Sequence, residues 1–364
     1  MIRTWRVALR NAAAGVVVGA LAVLMATPTP AWADAVRDGQ WYVDFLQLRQ
    51  AHQITKGKGV IVAVVDTGVG QHPDLSGNVL PGQDMIGGFS APDGRYDMDG
   101  HGTAMAGLVG AHGRVLGVAP EATILPLKER SGSRQFTAGL VPAINLAVSS
   151  GAKVICLALG TKGSPQLEDS INRALAADVV VIAGVGNTNL DPTLRYPAAY
   201  PGVVAVGGID SSGRHADISV RSDVVMLAAP SDAVSSTAPD GEYWLGTGTS
   251  NSTALVAGAA ALVRAKFPEL SADEVIHRLT YTADDKGPSG RDDQYGYGVV
   301  NIVKALTADV PPLTPSASTP GAGPGAKGQP GNGGLVGALV GVGALVGVLV
   351  VVGVLVVSRR RRNS

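Results

Sequence analysis

Runs of apolar, often β-branched residues recur through the middle of the chain, at 60–65, 123–127, 153–159, 179–183, 203–206 and 224–227. Each has the length of a strand, and none alternates with polar residues as a strand with one wet face would. Between several of them lie segments with helical spacing, notably 137–150 and 166–177. Continuously apolar strands separated by helices need cover on both sheet faces. The expected fold class is therefore α/β, a mostly parallel central sheet with helices on both sides. In such a sheet the working residues belong in loops at the carboxyl ends of the strands. With 364 residues, 46% of them hydrophobic, the chain has the material for such a core.

The two ends differ from this body. Arg3, Arg6 and Arg10 precede an apolar stretch at 12–26, and Ala31-Trp32-Ala33 fits the small-x-small rule for signal-peptide cleavage, so residues 1–33 are expected to be removed. Residues 335–357 are apolar and uncharged, enough for a helix of about 35 Å, and Arg359, Arg360, Arg361 and Arg362 follow at once. The positive-inside rule places that basic tail in the cytoplasm and the body outside the cell membrane. Within the span GALVG occurs at 337–341 and 343–347, a small-xxx-small spacing that lets helices approach closely and is also common in membrane helices generally. The expected organisation is a signal peptide (1–33), an N-terminal extension (34–58), a globular body (59–307), a Pro/Gly-rich linker (308–334), a transmembrane helix (335–357) and a basic tail (358–364). The linker has almost nothing to bury and reads as an extended stalk.

Charge narrows the partners. Setting aside the seven terminal arginines leaves 22 of the 29 basic residues against 29 acidic ones, a middle of net charge about −7. Such a body lacks the clustered cations that nucleic acid requires. Cys156 is the single cysteine, so no intrachain disulfide can form.

Four segments carry residues suited to chemistry. The first strand ends VIVAVVDTGV, which leaves Asp66 where the chain exits the sheet; alone, such an Asp is equally a turn former or a helix cap. His101 stands in DGHGTAMAGLVG between two glycines, at the start of a helical stretch, where an imidazole can transfer protons near neutral pH or serve a structural bond. Ser250, in GTGTSNSTALVAGAAALV, falls at the N-terminus of a long small-residue helix, a place that favours developing negative charge but also one where Thr249 or Ser250 could merely cap. Ser252 is a decoy in the same turn. Asn187 ends VVVIAGVGN, and its amide could donate to an oxyanion or simply turn the chain. His52, His72, His112, His215 and His277 show no HExxH or other ligand spacing, so no metal site and no cofactor is expected.

Together these segments resemble the subtilisin-like serine proteases. The order Asp, His, Ser is subtilisin's own. VAVVDTG surrounds Asp66, HGTAMAG begins at His101, and GTSNSTALVAG holds Ser250. GVAPEATILPLK, YPAAYPGVVAVGGID and YGYGVVNIVKAL match further segments of that family, so the resemblance covers about residues 59–307. A narrower resemblance is to the mycosins, membrane-anchored subtilases associated with type VII secretion, through the lead-in DGQWYVDFLQLRQAHQITKGKG, the stalk and the final basic-tailed span. What this implies is a subtilisin-like fold and an extracellular serine endopeptidase acting on protein or peptide substrates. Asp66, His101 and Ser250 would be its triad, Asn187 would lie in its oxyanion hole, and Leu159, Gly160 and Thr161 would touch substrate. The rival expectation is a scaffold within a secretion complex, for which catalysis is dispensable. The chain also departs from the family: HGTAMAG replaces HGTHVAG, Ala254 stands where Pro is usual, and VICLALG puts Cys156 and Ala158 in place of Asn and Ser beside the substrate. Only about thirty residues separate Ala33 from Asp66, too few for a large folding pro-domain.

Overall fold

The computed structural model describes residues 31–87, 92–130 and 139–313. Three short helices, α1 (Ala31–Asp38), α2 (Trp41–Phe45) and α3 (Leu48–Ile54), lead into the first strand. They are tied to the body rather than trailing from it: the Tyr42 hydroxyl, wholly buried, donates to the Leu116 carbonyl at 2.9 Å, and the Trp41 indole donates to the Asp232 carbonyl at 2.9 Å.

The central sheet contains β1 (Ile61–Asp66), β2 (Gln83–Asp84), β3 (Thr123–Lys128), β4 (Val154–Leu157), β5 (Val180–Gly184), β6 (Val204–Ile209) and β7 (Leu227–Pro230). Its order is β2-β3-β1-β4-β5-β6-β7, with every pairing parallel. Alternate residues of each strand enter two separate cores. Val62, Val64, Ile124, Val154, Cys156, Val180 and Ile182 face one side; Ala63, Val65, Leu125, Leu127, Ile155, Leu157 and Val181 face the other. Neither face meets water, which is why the strands read as unbroken apolar runs.

On one face lie α4 (His101–Gly110) and α7 (Thr249–Lys266); on the other lie α5 (Leu140–Ser149) and α6 (Pro165–Ala176). The outer pair are amphipathic and cover the sheet with Leu140, Ile144, Leu167 and Ile171. α7 is buried on nearly all sides over its 18 residues, and its Ala and Gly content is what allows such close approach. α8 (Ala272–Tyr281), started by a capping box at Ser271 and Glu274, and α9 (Ile302–Thr307) complete the body.

Two features depart from the sequence reading. The last expected strand, 224–227, begins only at Leu227, because Val224 and Val225 lie in a turn closed by Val225 N–H donating to Ser222 O at 3.1 Å. The sequence reading has no strand at the antiparallel hairpin of β8 (Val234–Thr237), a Val-Ser-Ser-Thr segment, and β9 (Tyr243–Gly246), where Tyr-Trp-Leu is only a short apolar run. Its buried Ser236 and Thr237 hydroxyls donate to the Ala104 and Thr103 carbonyls of α4, so β8 is held by hydrogen bonds where a greasy strand would be held by packing.

The expected features at 1–30 and 314–364, among them the signal peptide up to residue 30, most of the linker, the span 335–357 and the basic tail, lie outside the described residues. Among the described residues no helix is long and apolar enough to cross a membrane. The expected cleavage point after Ala33 falls inside α1.

The start of α4 sits hard against the end of β1. A Cβ on Gly102 would lie 2.1 Å from the Gly68 carbonyl oxygen, a backbone atom that no rotamer change can move aside. The forced separation should cost ~1–3 kcal/mol, more than the small helix-propensity gain of alanine in a first turn. Gly102→Ala is thus expected to lower the unfolding free energy by about that amount in urea titration. An unchanged midpoint would mean that α4 can retreat without cost.

Candidate active site

β1 lies between β3 and β4. The chain leaves β1 towards one edge of the sheet and leaves β4 towards the other, and that divergence opens a crevice at the carboxyl ends of the two strands. A cleft of about 440 Å³ occupies this place, and His101, Asn187 and Ser250 line it together with Leu159 and Gly160.

Asp66 is the final residue of β1 and only 1% exposed. Its Oδ1 accepts from the Thr67 N–H at 2.8 Å, and both carboxylate oxygens meet His101 Nδ1, at 2.8 and 2.9 Å. Arg130 Nη2 reaches the same Oδ1 at 3.1 Å. Burial alone would raise this carboxyl's pKa, but the charges of His101 and Arg130 and their hydrogen bonds outweigh it, holding Asp66 ionised well below the usual carboxylate range.

His101 opens α4, and its place is set from two sides. Thr67 Oγ1, next to Asp66, accepts from the Gly102 N–H at 2.9 Å. The buried Asp97 carboxylate accepts from the N–H groups of Gly100 and Thr103, both at 2.9 Å, and from the Thr103 hydroxyl at 2.6 Å. A carboxylate across a helix N-terminus satisfies free N–H groups and opposes the dipole. Asp97 is a positioning residue missed in sequence, although an acidic residue a few positions ahead of a helix start is a legible signal. The Trp244 ring from β9 stands edge-on to the imidazole with centroids 6.5 Å apart.

Ser250 lies in the first turn of α7. Its hydroxyl donates to the Ala158 carbonyl, just past β4, at 3.2 Å; among the described residues it makes no hydrogen bond to His101. Asn187 follows β5. Its Oδ1 accepts from the Thr249 N–H at 2.9 Å and the Thr249 hydroxyl at 3.1 Å, which fixes the amide orientation and leaves Nδ2 for the cleft beside Gly248. The decoy Ser252 is fully buried and donates to the Ala229 carbonyl at 2.9 Å. Thr161 is absent from the cleft lining: it is buried, and its backbone exchanges hydrogen bonds with Tyr196 in both directions. Cys156 is buried inside β4, where desolvation pushes its thiol far above the usual range and removes it as a nucleophile. Among the described residues no cluster of His, Cys, Asp or Glu is arranged to hold a metal.

Residues 57–298 match the model of the subtilase peptidase family. Subtilisin DY of Bacillus licheniformis is 38% identical over 260 residues, 69% of this chain and 92% of its own. The MycP3 protease from the type VII (ESX-3) secretion system superposes with a TM-score of 0.67 at 33% identity, covering 74% of this chain and 88% of that one. A chain of an intact ESX-5 inner membrane complex does so with a TM-score of 0.66 at 29% identity, covering 80% and 84%. The chain belongs to the subtilase family. It is a serine endopeptidase with a subtilisin-like α/β fold, and its structural relatives include the mycosin proteases of type VII secretion.

Glu129, next to Arg130, is fully buried, and neither of its carboxylate oxygens has a hydrogen-bond partner among the described residues. Burial raises its pKa to about 8; Arg130 opposes that and Asp66 adds to it. Between the unfolded value of ~4.3 and this one, the folded state keeps a proton that the unfolded state has released. Glu129 therefore draws down stability as pH rises through that window, by an amount on the order of a few kcal/mol. Glu129→Gln is expected to flatten the fall in melting temperature between pH 5 and 8. Parallel curves for the two proteins would mean that Glu129 ionises at an ordinary value.

Proposed function

We propose that this chain is an extracellular endopeptidase held at the cell membrane, which cuts peptide bonds with Asp66, His101 and Ser250 in the service of a type VII secretion complex. The observation that carries the catalytic part is that His101, tied to Asp66, opens onto the same cleft as Ser250 and Asn187. Ser250 Oγ leaves the Ala158 carbonyl and attacks the substrate carbonyl while His101 Nε2 takes its proton. His101 then delivers that proton to the leaving amine, and water completes the cycle through the same groups. Asp66 holds the proton on Nδ1 and stabilises the imidazolium as it forms. The oxyanion is met by Asn187 Nδ2 and the Ser250 N–H at the N-terminus of α7, where the helix dipole has the right sign. Leu159 and Gly160, with Thr161 behind them, form the wall along which a substrate backbone would lie. These steps call for no cofactor or metal.

The membrane part rests on the sequence at 335–357 and its arginines, and the likeness to a chain of an inner membrane complex supports it. The secretion role rests on the likeness to the MycP3 protease. The acidic body speaks against nucleic acid as a partner.

Ser250→Ala is expected to abolish labelling by a fluorophosphonate probe while leaving the melting temperature within a few degrees; undiminished labelling would move the nucleophile elsewhere. The same substitution in cells separates the rival scaffold role, since full rescue of secretion by the inactive chain would assign that function to docking. Asn187→Ala is expected to lower kcat by ~10² to 10³ with KM little changed, a magnitude carried over from subtilisin's own side-chain donor. A loss confined to KM would place the amide on substrate and away from the oxyanion.

A further inference from the structure

Arg130 presents a conflict inside the site. Its Nη2 lies 3.1 Å from Asp66 Oδ1 and also 3.3 Å from His101 Nδ1. The guanidinium is permanently charged and has only donors. Nδ1 can hold one proton or none. With the proton on Nδ1, the imidazole donates to Asp66 and offers Nε2 as a base, but two donors then confront each other across 3.3 Å. With the proton on Nε2, Nδ1 accepts from Arg130, and the imidazole has no lone pair to take the Ser250 proton. Arg130 therefore favours the tautomer that cannot work. Its charge also opposes the imidazolium that forms during attack, and it takes part of the Asp66 charge that would stabilise it.

We propose that Arg130 is a positioning residue that restrains the triad, competing with His101 for Asp66 and setting its charge against the imidazolium that forms during attack, so that the enzyme turns over slowly. The inference rests on the triad reading above. Arg130 lines the cleft and its side chain is 22% exposed, so its field reaches the imidazole through little water. The charged and titratable groups around the pair are Asp66 and its neighbour across the sheet, Lys128, with Glu129 beside Arg130, Asp97 and Asp99 ahead of α4, and the Cys156 thiol of β4. Glu129 Oε1 stands 3.5 Å from Arg130 Nε, and while that carboxyl holds its proton it leaves the guanidinium's charge uncompensated on that side.

The test is the second-order rate of fluorophosphonate labelling of the full-length protein, in detergent, from pH 5 to 10. Removing a cation beside the imidazole stabilises the imidazolium, so Arg130→Met should move the midpoint of the acid limb up by about one pH unit, a tenfold change in proton affinity. The plateau above it should rise at least several-fold, because a stronger base takes the serine proton more readily. Arg130→Gln, the second neutral variant, should shift in the same direction, and Arg130→Lys should stay near the parent. A purely structural role would change the amount of labelled protein without moving the midpoint. An unmoved midpoint in the folded neutral variants, or a midpoint moved down, overturns the inference while labelling that still requires Ser250 leaves the triad reading intact. Labelling that survives Ser250→Ala overturns the triad reading instead.

Discussion

The structure turns on one buried negative charge. Asp66 is sealed at the end of the strand flanked by β3 and β4, where an unpaired carboxylate would cost several kcal/mol. It stays ionised because the Thr67 N–H, His101 and Arg130 converge on it from three directions. Its neighbours are held with equal care. Lys128, paired with Asp66 across β1 and β3, buries its ammonium against the Thr67 and Tyr96 carbonyls at 2.6 and 3.0 Å, and Asp97 anchors the start of α4. The histidine is thereby aimed by groups that are themselves fixed, which is how a site keeps its geometry through a reaction that moves charge.

The serine reaches this charge by a different route. Asp66 and His101 are brought together by adjacent elements, but Ser250 comes from far along the chain on a helix threaded through the core. α7 can lie that close to the sheet only because both surfaces are small. A Cβ on Gly184 of β5 would stand 2.9 Å from the Thr253 hydroxyl of the helix, and one on Gly258 of the helix would likewise stand 2.5 Å from Val118 in the connection ahead of β3. The run of Ala and Gly in this helix is thus a packing requirement that ends up placing a helix N-terminus, with its free N–H groups, beside Ala158 and Asn187. The same proximity explains why Ala158 is tolerated where the family carries serine: its backbone carbonyl, not its side chain, touches the Ser250 hydroxyl.

The parts of the fold driven by apolar burial were readable in advance. The runs at 60–65, 123–127 and 179–183 are strands within a residue or two, and the helical spacings at 137–150 and 166–177 match α5 and α6. What escaped is what polar contacts decide. β8 is Val-Ser-Ser-Thr and buries its hydroxyls on carbonyls of α4; no hydropathy pattern announces such a strand. β7 starts three residues late because a serine-led turn intervenes.

The sequence by itself determined the class of sheet, the order Asp66, His101, Ser250 and the presence of Asn187, since local motifs and strand-length apolar runs are properties of neighbouring residues. Only the tertiary structure could decide that Arg130 faces the same carboxylate as His101, because the two are 29 residues apart and meet through a parallel pairing and a helix entry that no local pattern encodes. It also decided the amide orientation of Asn187 and the burial of Glu129, both of which depend on what the fold brings against them. Motifs name the groups available to a site; the packing of distant segments sets the charge each one feels.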